Sequence, residues 1–237
     1  MKFTVGDIIV EYEPRYAFFS KMAEPFLAEE QEADITIEYD ATEIETIHMR
    51  SNNSLPVSES FYVLEKLARK MLEYDALWMH SAVISVHENG YAFSAPSGTG
   101  KSTHIRLWKK VFGDSVQIVN GDKPFYRLMD DQLLIYPGPW RGKEQWGSKK
   151  IVPLKTLCFL EQAETNEIKR LSEDEILPLL LTEVVMPENN IQVDTFFHIL
   201  DFIVTNIPCY LMKCNISEEA AVIAYNTMVR GEKKNEN

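Results

Sequence analysis

Apolar and polar residues alternate with period two through "DIIVEYE" (7–13) and "ADITIEYD" (33–40), which predicts strands with one buried face. "ETIHMRS" (45–51) is a third candidate strand on the same reading. Between the first two, "YAFFSKMAEPFLA" (16–28) predicts a short helix broken at Pro25. Phe61, Leu64, Leu67, Ala68, Met71 and Leu72 then recur at helical spacing and predict an amphipathic helix over 58–74.

The middle of the chain changes character. "LWMHSAVISV" (77–86) and "GYAFSA" (90–95) read as strands joined by the polar turn "HENG", and the helix "KSTHIRLWKKVF" (101–112) follows. "VQIVN" (116–120) is a short buried strand, "PFYRLM" and "QLLIYP" form a hairpin around Asp130-Asp131, and "LKTLCFLE" (154–161) is another strand. Towards the C-terminus, "SEDE" (172–175) is a capping box in which Ser172 is the N-cap and Glu175 stands three residues on. "VDTFFHILDFIVTNI" (193–207) is a strongly apolar, buried helix, "CYLMKC" (209–214) a last strand, and Ser217 caps a final helix to about Arg230. Strands and helices mix without strict alternation, so the expected fold class is mixed α/β or α+β.

Four stretches follow from this pattern. Residues 1–57 are an N-terminal β-rich segment, 58–162 the core, 163–230 a C-terminal helical part of the same domain, and 231–237 ("GEKKNEN") a short polar tail expected to be disordered. No internal repeat or low-complexity segment is present. The longest apolar runs, such as "ILPLLL" (176–181), are far too short to span a bilayer. Acidic residues interrupt the N-terminal stretch "MKFTVGDIIVEYEP", which does not read as a signal peptide. Cys158, Cys209 and Cys214 are few and odd in number, and they read as buried free thiols in a reducing cytoplasm. The formal net charge of −12 disfavours nonspecific nucleic-acid binding, which relies on a basic surface. It leaves nucleotide binding open, because that needs only a local cluster of N–H groups and cations.

One stretch carries such a cluster. Ala95-Pro96-Ser97-Gly98-Thr99-Gly100-Lys101-Ser102, continuing into Thr103, follows the pattern G-x-x-x-x-G-K-[ST] with alanine at the first glycine. Gly98 and Gly100 let the backbone turn tightly and aim its N–H groups inward. Lys101 reaches the β and γ phosphates, the Ser102 hydroxyl ligates Mg²⁺, and the helix adds its positive end. Alanine at position 95 is compatible with a strand end where φ is negative.

A site that transfers phosphate also needs a carboxylate for Mg²⁺ or the incoming hydroxyl. Asp122 in "VQIVNGDKPFYRL" is the candidate, at the end of an apolar strand. His80 in "LWMHSAV" is a second candidate, one strand before the loop. Arg141 in "GPWRGKEQWG" (138–147) is placed to pair with phosphate oxygens, although the same loop also reads as a solvated basic turn. His48, His87, His104 and His198 have no sequence neighbours that suggest a metal cluster.

Taken in order, "MHSAVISV", "SGTGKST", "NGDKP", Arg141-Gly142 and "PLKTLCFLE" resemble motifs of the HPr kinase/phosphorylase family, whose core is related to ATP-dependent phosphoenolpyruvate carboxykinase. The resemblance spans roughly 77–162. It implies a P-loop core sheet with flanking helices, and a kinase that uses ATP and Mg²⁺ to phosphorylate a serine on a protein or peptide. Asp122 resembles the carboxylate that accepts the hydroxyl proton and shares the metal with Ser102. Lys101 resembles the phosphate ligand, and His80 lies beside the transferring group. Homo-oligomers occur often in the family. The chain departs from the pattern in two places. Gly121 stands at the first of the family's paired aspartates, so either the metal leans on Ser102 and water, or Glu144 or an Asp130-Asp131 carboxylate supplies the rest. Arg-Gly-Lys-Glu replaces Arg-Gly-Leu-Gly, which sets aside the reverse reaction and the usual HPr substrate. Two other readings stay open: a nucleotide-binding module without catalysis, and a small-molecule phosphotransferase.

Overall fold

The computed structural model describes residues 1–28 and 32–231. At its start, β1 (Lys2–Val5) and β2 (Ile8–Glu11) form a hairpin, and β3 (Ile35–Thr36) joins β2 in parallel. Helices α1 (Ala17–Ala23), α2 (Ala41–Arg50) and α3 (Leu55–Lys70) share one apolar cluster with these strands, built on Phe3, Tyr12, Phe19, Ile44 and Leu67. Pro25 falls in a 3₁₀ turn, Glu24–Phe26, directly after α1, so the helix breaks where expected. The predicted strand over 45–51 is instead the second half of α2. The Asp40 side chain accepts from the Glu43 amide at 3.0 Å and caps this helix, which buries only Ile44. Ile44 and Ile47, three residues apart, face the cluster together, a helical spacing that the strand reading overlooked, and the Asp40 cap starts the helix. The hairpin strand Lys2–Val5 had no sequence reading of its own.

A buried carboxylate ties this region together. Glu59 of α3 is fully buried and accepts from Tyr12 Oη (3.2 Å), the Arg15 amide (2.7 Å) and the Tyr16 amide (3.2 Å). It thus supplies the cap for α1 that Tyr16, the N-cap residue, does not.

The rest of the chain is organised on one long strand. In chain order the elements are β4 (Ala76–Trp78), β5 (Ser81–Val86), β6 (Asn89–Ser94), α4 (Lys101–Phe112), β7 (Val116–Asn120), β8 (Phe125–Met129), β9 (Gln132–Tyr136), β10 (Val152–Gln162), β11 (Glu167–Arg170), α5 (Glu173–Thr182), α6 (Asn190–Asn206), β12 (Cys209–Cys214) and α7 (Glu218–Met228). The sheet runs β4-β8-β9-β10-β6-β5-β7, with β12 also on β10 and β11 on β12. The start of β10 pairs antiparallel with β9, while its later residues pair in parallel with β6 on one side and β12 on the other. The sheet is therefore mixed and curls about β10, and the class is mixed α+β as expected.

Alternate residues of the central strands enter different clusters, as the pleat requires. Val83, Ala92, Leu157 and Phe159 pack with Leu180, Phe196 and Leu200 of α5 and α6. Ile84, Phe93 and Cys158 pack on the opposite face with Ile105 and Trp108 of α4 and Ala224 of α7. The capping box at Ser172 is present as predicted. Ser217 stands at the N-cap of α7 but its hydroxyl is bonded by Asn166 Nδ2 (3.1 Å) and makes no capping bond. All three cysteines are free, with Cys158 and Cys209 buried. No helix among the described residues is long and apolar enough to cross a membrane. Apart from Gly231, the tail expected to be disordered lies outside the described residues.

Replacing Glu59 with alanine orphans a tyrosine hydroxyl and two amides. The expected loss is on the order of 3 kcal/mol of unfolding free energy, since each unsatisfied buried group costs about 1–3 kcal/mol. A urea titration followed by circular dichroism reads it as a lower midpoint, and an unchanged midpoint counts against this role for Glu59.

Candidate functional site

The predicted strand over 77–86 is broken in two. Residues 76–78 pair with β8, and residues 81–86 pair with β6 and β7, so the chain changes neighbours between them. His80 sits at that break. Its amide donates to Glu183 O (2.8 Å), its carbonyl accepts from Ser94 Oγ (2.9 Å), and the next amide, of Ser81, donates to Asp122 O (3.0 Å). These bonds bring the end of β6, the turn after β7 and the end of α5 to the adjacent residues His80 and Ser81.

The side chains complete this arrangement. His80 Nδ1 lies 3.0 Å from Glu183 Oε2, and His80 Nε2 lies 3.2 Å from Asp122 Oδ1. With both carboxylates ionised, both ring nitrogens donate and the ring carries the imidazolium charge. Burial opposes that charge, but the hydrogen bonds to Asp122 and Glu183 outweigh it and raise the His80 pKa above 6.5. Burial likewise works against ionised Asp122, yet the bond to His80 and the adjacent Lys123 ammonium bring its pKa down to about 2. Lys123 Nζ bonds the second oxygen of Asp122, Oδ2. The turn presenting Asp122 has a local cause. Asn120, fully buried, accepts the Asp122 and Lys123 amides on its own Oδ1, each at 3.0 Å.

The glycine loop lies between β6 and α4. Gly98 has φ +85° and Gly100 φ +120°, with open space around both, so their glycines answer a backbone requirement and not crowding. Ala95 is buried and is not among the residues with positive φ, which removes the steric objection to alanine there. Pro96, Ser97 and Gly98 are exposed, and Thr99, Gly100, Ser102 and Thr103 are half-buried. The Thr99 amide turns back to Pro96 O (3.2 Å), and Gln162, at the end of β10, holds the Thr99 carbonyl through Nε2 (3.1 Å). Gly100 offers α4 no side-chain cap, and the His104 amide bonds Gly100 O (2.8 Å) as the helix begins. The amides of Lys101, Ser102 and Thr103 precede that bond and point out of the helix end.

Lys101 links the loop to the carboxylates. It is only 7% exposed, and its Nζ donates to Ala95 O at 2.5 Å. Burial lowers its pKa, while Asp122 and Glu183 are near enough to pull it back up. Ala95, whose carbonyl holds Lys101 Nζ, directly follows Ser94, whose hydroxyl donates to the His80 carbonyl, so Lys101 and His80 are both anchored at the end of β6. Arg141 is placed otherwise: its guanidinium bonds Gln145 O (3.1 Å) and Gln145 Oε1 (3.3 Å) and lies over the Phe26 ring, 5.4 Å from its centroid. What it brings to the site is backbone. A Cβ on Gly121 would stand 2.6 Å from Arg141 O and 3.1 Å from Trp146 O, so no side chain fits at position 121. Of the residues considered for a second carboxylate, Glu144 lies on the Asp122 side. An added Cβ at Gly142 would be 3.3 Å from Asp122 Cβ and 3.6 Å from Glu144 Oε2. Asp130 and Asp131 form the β8–β9 turn, at the far end of β8 from Asp122.

Sequence reasoning missed Glu183 and Lys123. Glu183 is 5% exposed and is the C-cap residue of α5, about a hundred positions beyond His80. No local pattern marks it, since long-range contacts bring it in: the Met79–Val184 bridge and the bond from the His80 amide to Glu183 O. Lys123 was legible as the neighbour of Asp122 but not as its partner.

No protein-family model matches the chain. No curated protein matches it either. Among solved structures it is similar to the Hpr(Ser) kinase/phosphatase from Coxiella burnetii, with a TM-score of 0.41 and 11% identity over 67% of this chain and 92% of that one. A similarity at that level carries no argument about chemistry, which rests on the residues described above.

The two shifts give opposite pH limits. A raised His80 pKa contributes stability that is fully present below 6.5 and lost as pH rises through the folded value. A lowered Asp122 pKa contributes stability present above 3.8 and lost as pH falls through about 2. NMR titration of the histidine rings should find His80 titrating above 6.5, and Asp122→Asn or Glu183→Gln should each move it down. A His80 that titrates at or below 6.5 in the unmodified chain contradicts the bridged arrangement.

Proposed function

We propose that the chain is a nucleotide-dependent phosphotransferase that moves the γ-phosphoryl group of ATP to a serine hydroxyl of a protein or peptide. The observation that supports it is that the end of β6 holds both parts: Ala95 O accepts from Lys101 of the glycine loop, and Ser94 Oγ donates to His80, which bridges Asp122 and Glu183. A loop of outward amides and a lysine suits a polyphosphate, and an ionised carboxylate beside it suits an incoming hydroxyl. The serine acceptor rests on the sequence resemblance.

The roles follow from the geometry. The amides of 101–103 and Lys101 bind phosphate oxygens, with Lys101 exchanging the Ala95 carbonyl for them. Asp122, ionised at neutral pH, orients the attacking hydroxyl; in a loose transfer a weak base suffices, because the proton leaves late. His80 fixes the Asp122 carboxylate, and its imidazolium adds positive charge where the transferring group passes. Among the described residues no three His, Cys, Asp or Glu side chains gather as a preformed metal cage. Nucleotide-bound Mg²⁺ needs none, as it takes one or two carboxylates together with phosphate oxygens and water. Ser102 and Asp122 fit that need, and Asp122 Oδ2 already holds a cation in Lys123. When bound, Mg²⁺ neutralises charge on the phosphate oxygens.

A second reading, a nucleotide-binding module without transfer, is favoured by one observation: both Asp122 oxygens are engaged, by His80 and by Lys123. Labelled γ-phosphate supplied with cell extract separates the two. The kinase reading expects a labelled serine-containing acceptor, with transfer reduced on the order of a hundredfold or more by Lys101→Ala and by Asp122→Asn. Nucleotide binding with no labelled acceptor selects the second reading, and full turnover in both variants overturns the site assignment.

A further inference from the structure

On the proposed reading Asp122 is the carboxylate that would share a metal with the nucleotide, yet its Oδ2 is occupied by a neighbouring side chain. Lys123 is no loose surface lysine. Its amide is shared between Asn120 Oδ1 (3.0 Å) and Trp140 O (3.1 Å), and Pro124 follows it. Its side chain is 16% exposed, and Nζ lies 5.8 Å from the centroid of the Phe61 ring on α3. Backbone, carboxylate and aromatic face together hold the ammonium where a divalent ion bound by Asp122 has to sit. On the other side, Asp122 Oδ1 is taken by His80, so neither oxygen is free for a metal arriving alone. Gly121 cannot carry an additional ligand, because a side chain there meets the Arg141 and Trp146 carbonyls.

We propose that Lys123 is a resident cation that keeps divalent metal off Asp122 until a polyphosphate enters, so that metal is accepted only together with nucleotide. The proposal rests on reading this place as a nucleotide-phosphate site. A polyphosphate offers Lys123 a second anionic partner of higher charge, next to the loop amides and Lys101. Transfer of the ammonium from carboxylate to phosphate frees Oδ2 for the metal that the nucleotide carries. The same lysine thereby serves as a phosphate ligand in the loaded site. Together with His80 it also keeps the half-buried Asp122 carboxylate compensated in the empty site, next to buried Glu183.

The test measures Mn²⁺ binding to the full chain by electron paramagnetic resonance, without nucleotide. Unmodified protein should bind weakly. Lys123→Met keeps the aliphatic stem against Phe61 and removes the charge; it should bind roughly tenfold tighter or more, since a contacting unit charge is gone. Lys123→Arg should stay weak, and Asp122→Asn added to Lys123→Met should abolish the gain. Equal affinity in Lys123→Met and the unmodified chain overturns the proposal, as does a gain that survives Asp122→Asn. An independent measurement needs no variant: the Lys123 ammonium resonance should move when a non-hydrolysable ATP analogue is added without metal, and a signal that does not move overturns the proposal equally. Neither readout requires phosphoryl transfer. A chain that transfers nothing leaves the proposal standing, and a failed proposal leaves the transfer reading standing.

Discussion

Everything at the site depends on one imidazole held between two carboxylates. His80 reaches Glu183 with one nitrogen and Asp122 with the other, and its own amide is bonded to Glu183 again. The carboxylates come from segments far apart in the chain, one after β7 and one at the end of α5, so the bridge joins parts of the chain about sixty residues apart. A buried and a half-buried carboxylate without a cation between them would repel each other and lose part of their hydration. His80 and Lys123 supply the compensation, and Lys101 extends the same electrostatic group to the glycine loop.

That bridge explains why the strand through residue 80 has to break. A continuous strand from Ala76 to Val86 would send the side chain of residue 80 to one face and pair its backbone regularly. The change of partner from β8 to β6 and β7 leaves the backbone at 79–81 bonded to 122, 124 and 183 instead. The curl of the sheet about β10 and the placement of the site thus have the same origin: β10 pairs with β9 at its start and with β6 and β12 further on, and the two parts of the sheet meet at His80. The N-terminal elements also reach this meeting point. Trp140 and Phe125 belong to their apolar cluster, and Phe61 faces the Lys123 ammonium.

Local signals made part of this legible. The glycine loop, its flanking strand and helix, the β8–β9 hairpin and the capping box at Ser172 follow from spacing and turn chemistry within a few residues. His80 and Asp122 could be singled out because each lies within reach of the loop by strand order. Glu183 could not, since its role is created by a bridge between segments about a hundred residues apart, and a helix-terminal glutamate has no pattern of its own. The strand expected over 45–51 failed for another reason: the helical signal was short, resting on Ile44, Ile47 and the Asp40 cap, most of which lie before or at the edge of that stretch. Gly121 read as the loss of an acidic ligand; the Arg141 and Trp146 carbonyls packed against it make glycine a requirement of the turn.

The central claim is that the glycine loop and the His80 bridge are parts of one site. Following backbone and histidine-ring NMR signals while a non-hydrolysable ATP analogue is added with Mg²⁺ tests it most directly. The amides of Lys101, Ser102 and Thr103 and the ring of His80 should shift together, with a single saturation curve. Loop amides that saturate while the His80 ring stays unmoved would contradict it.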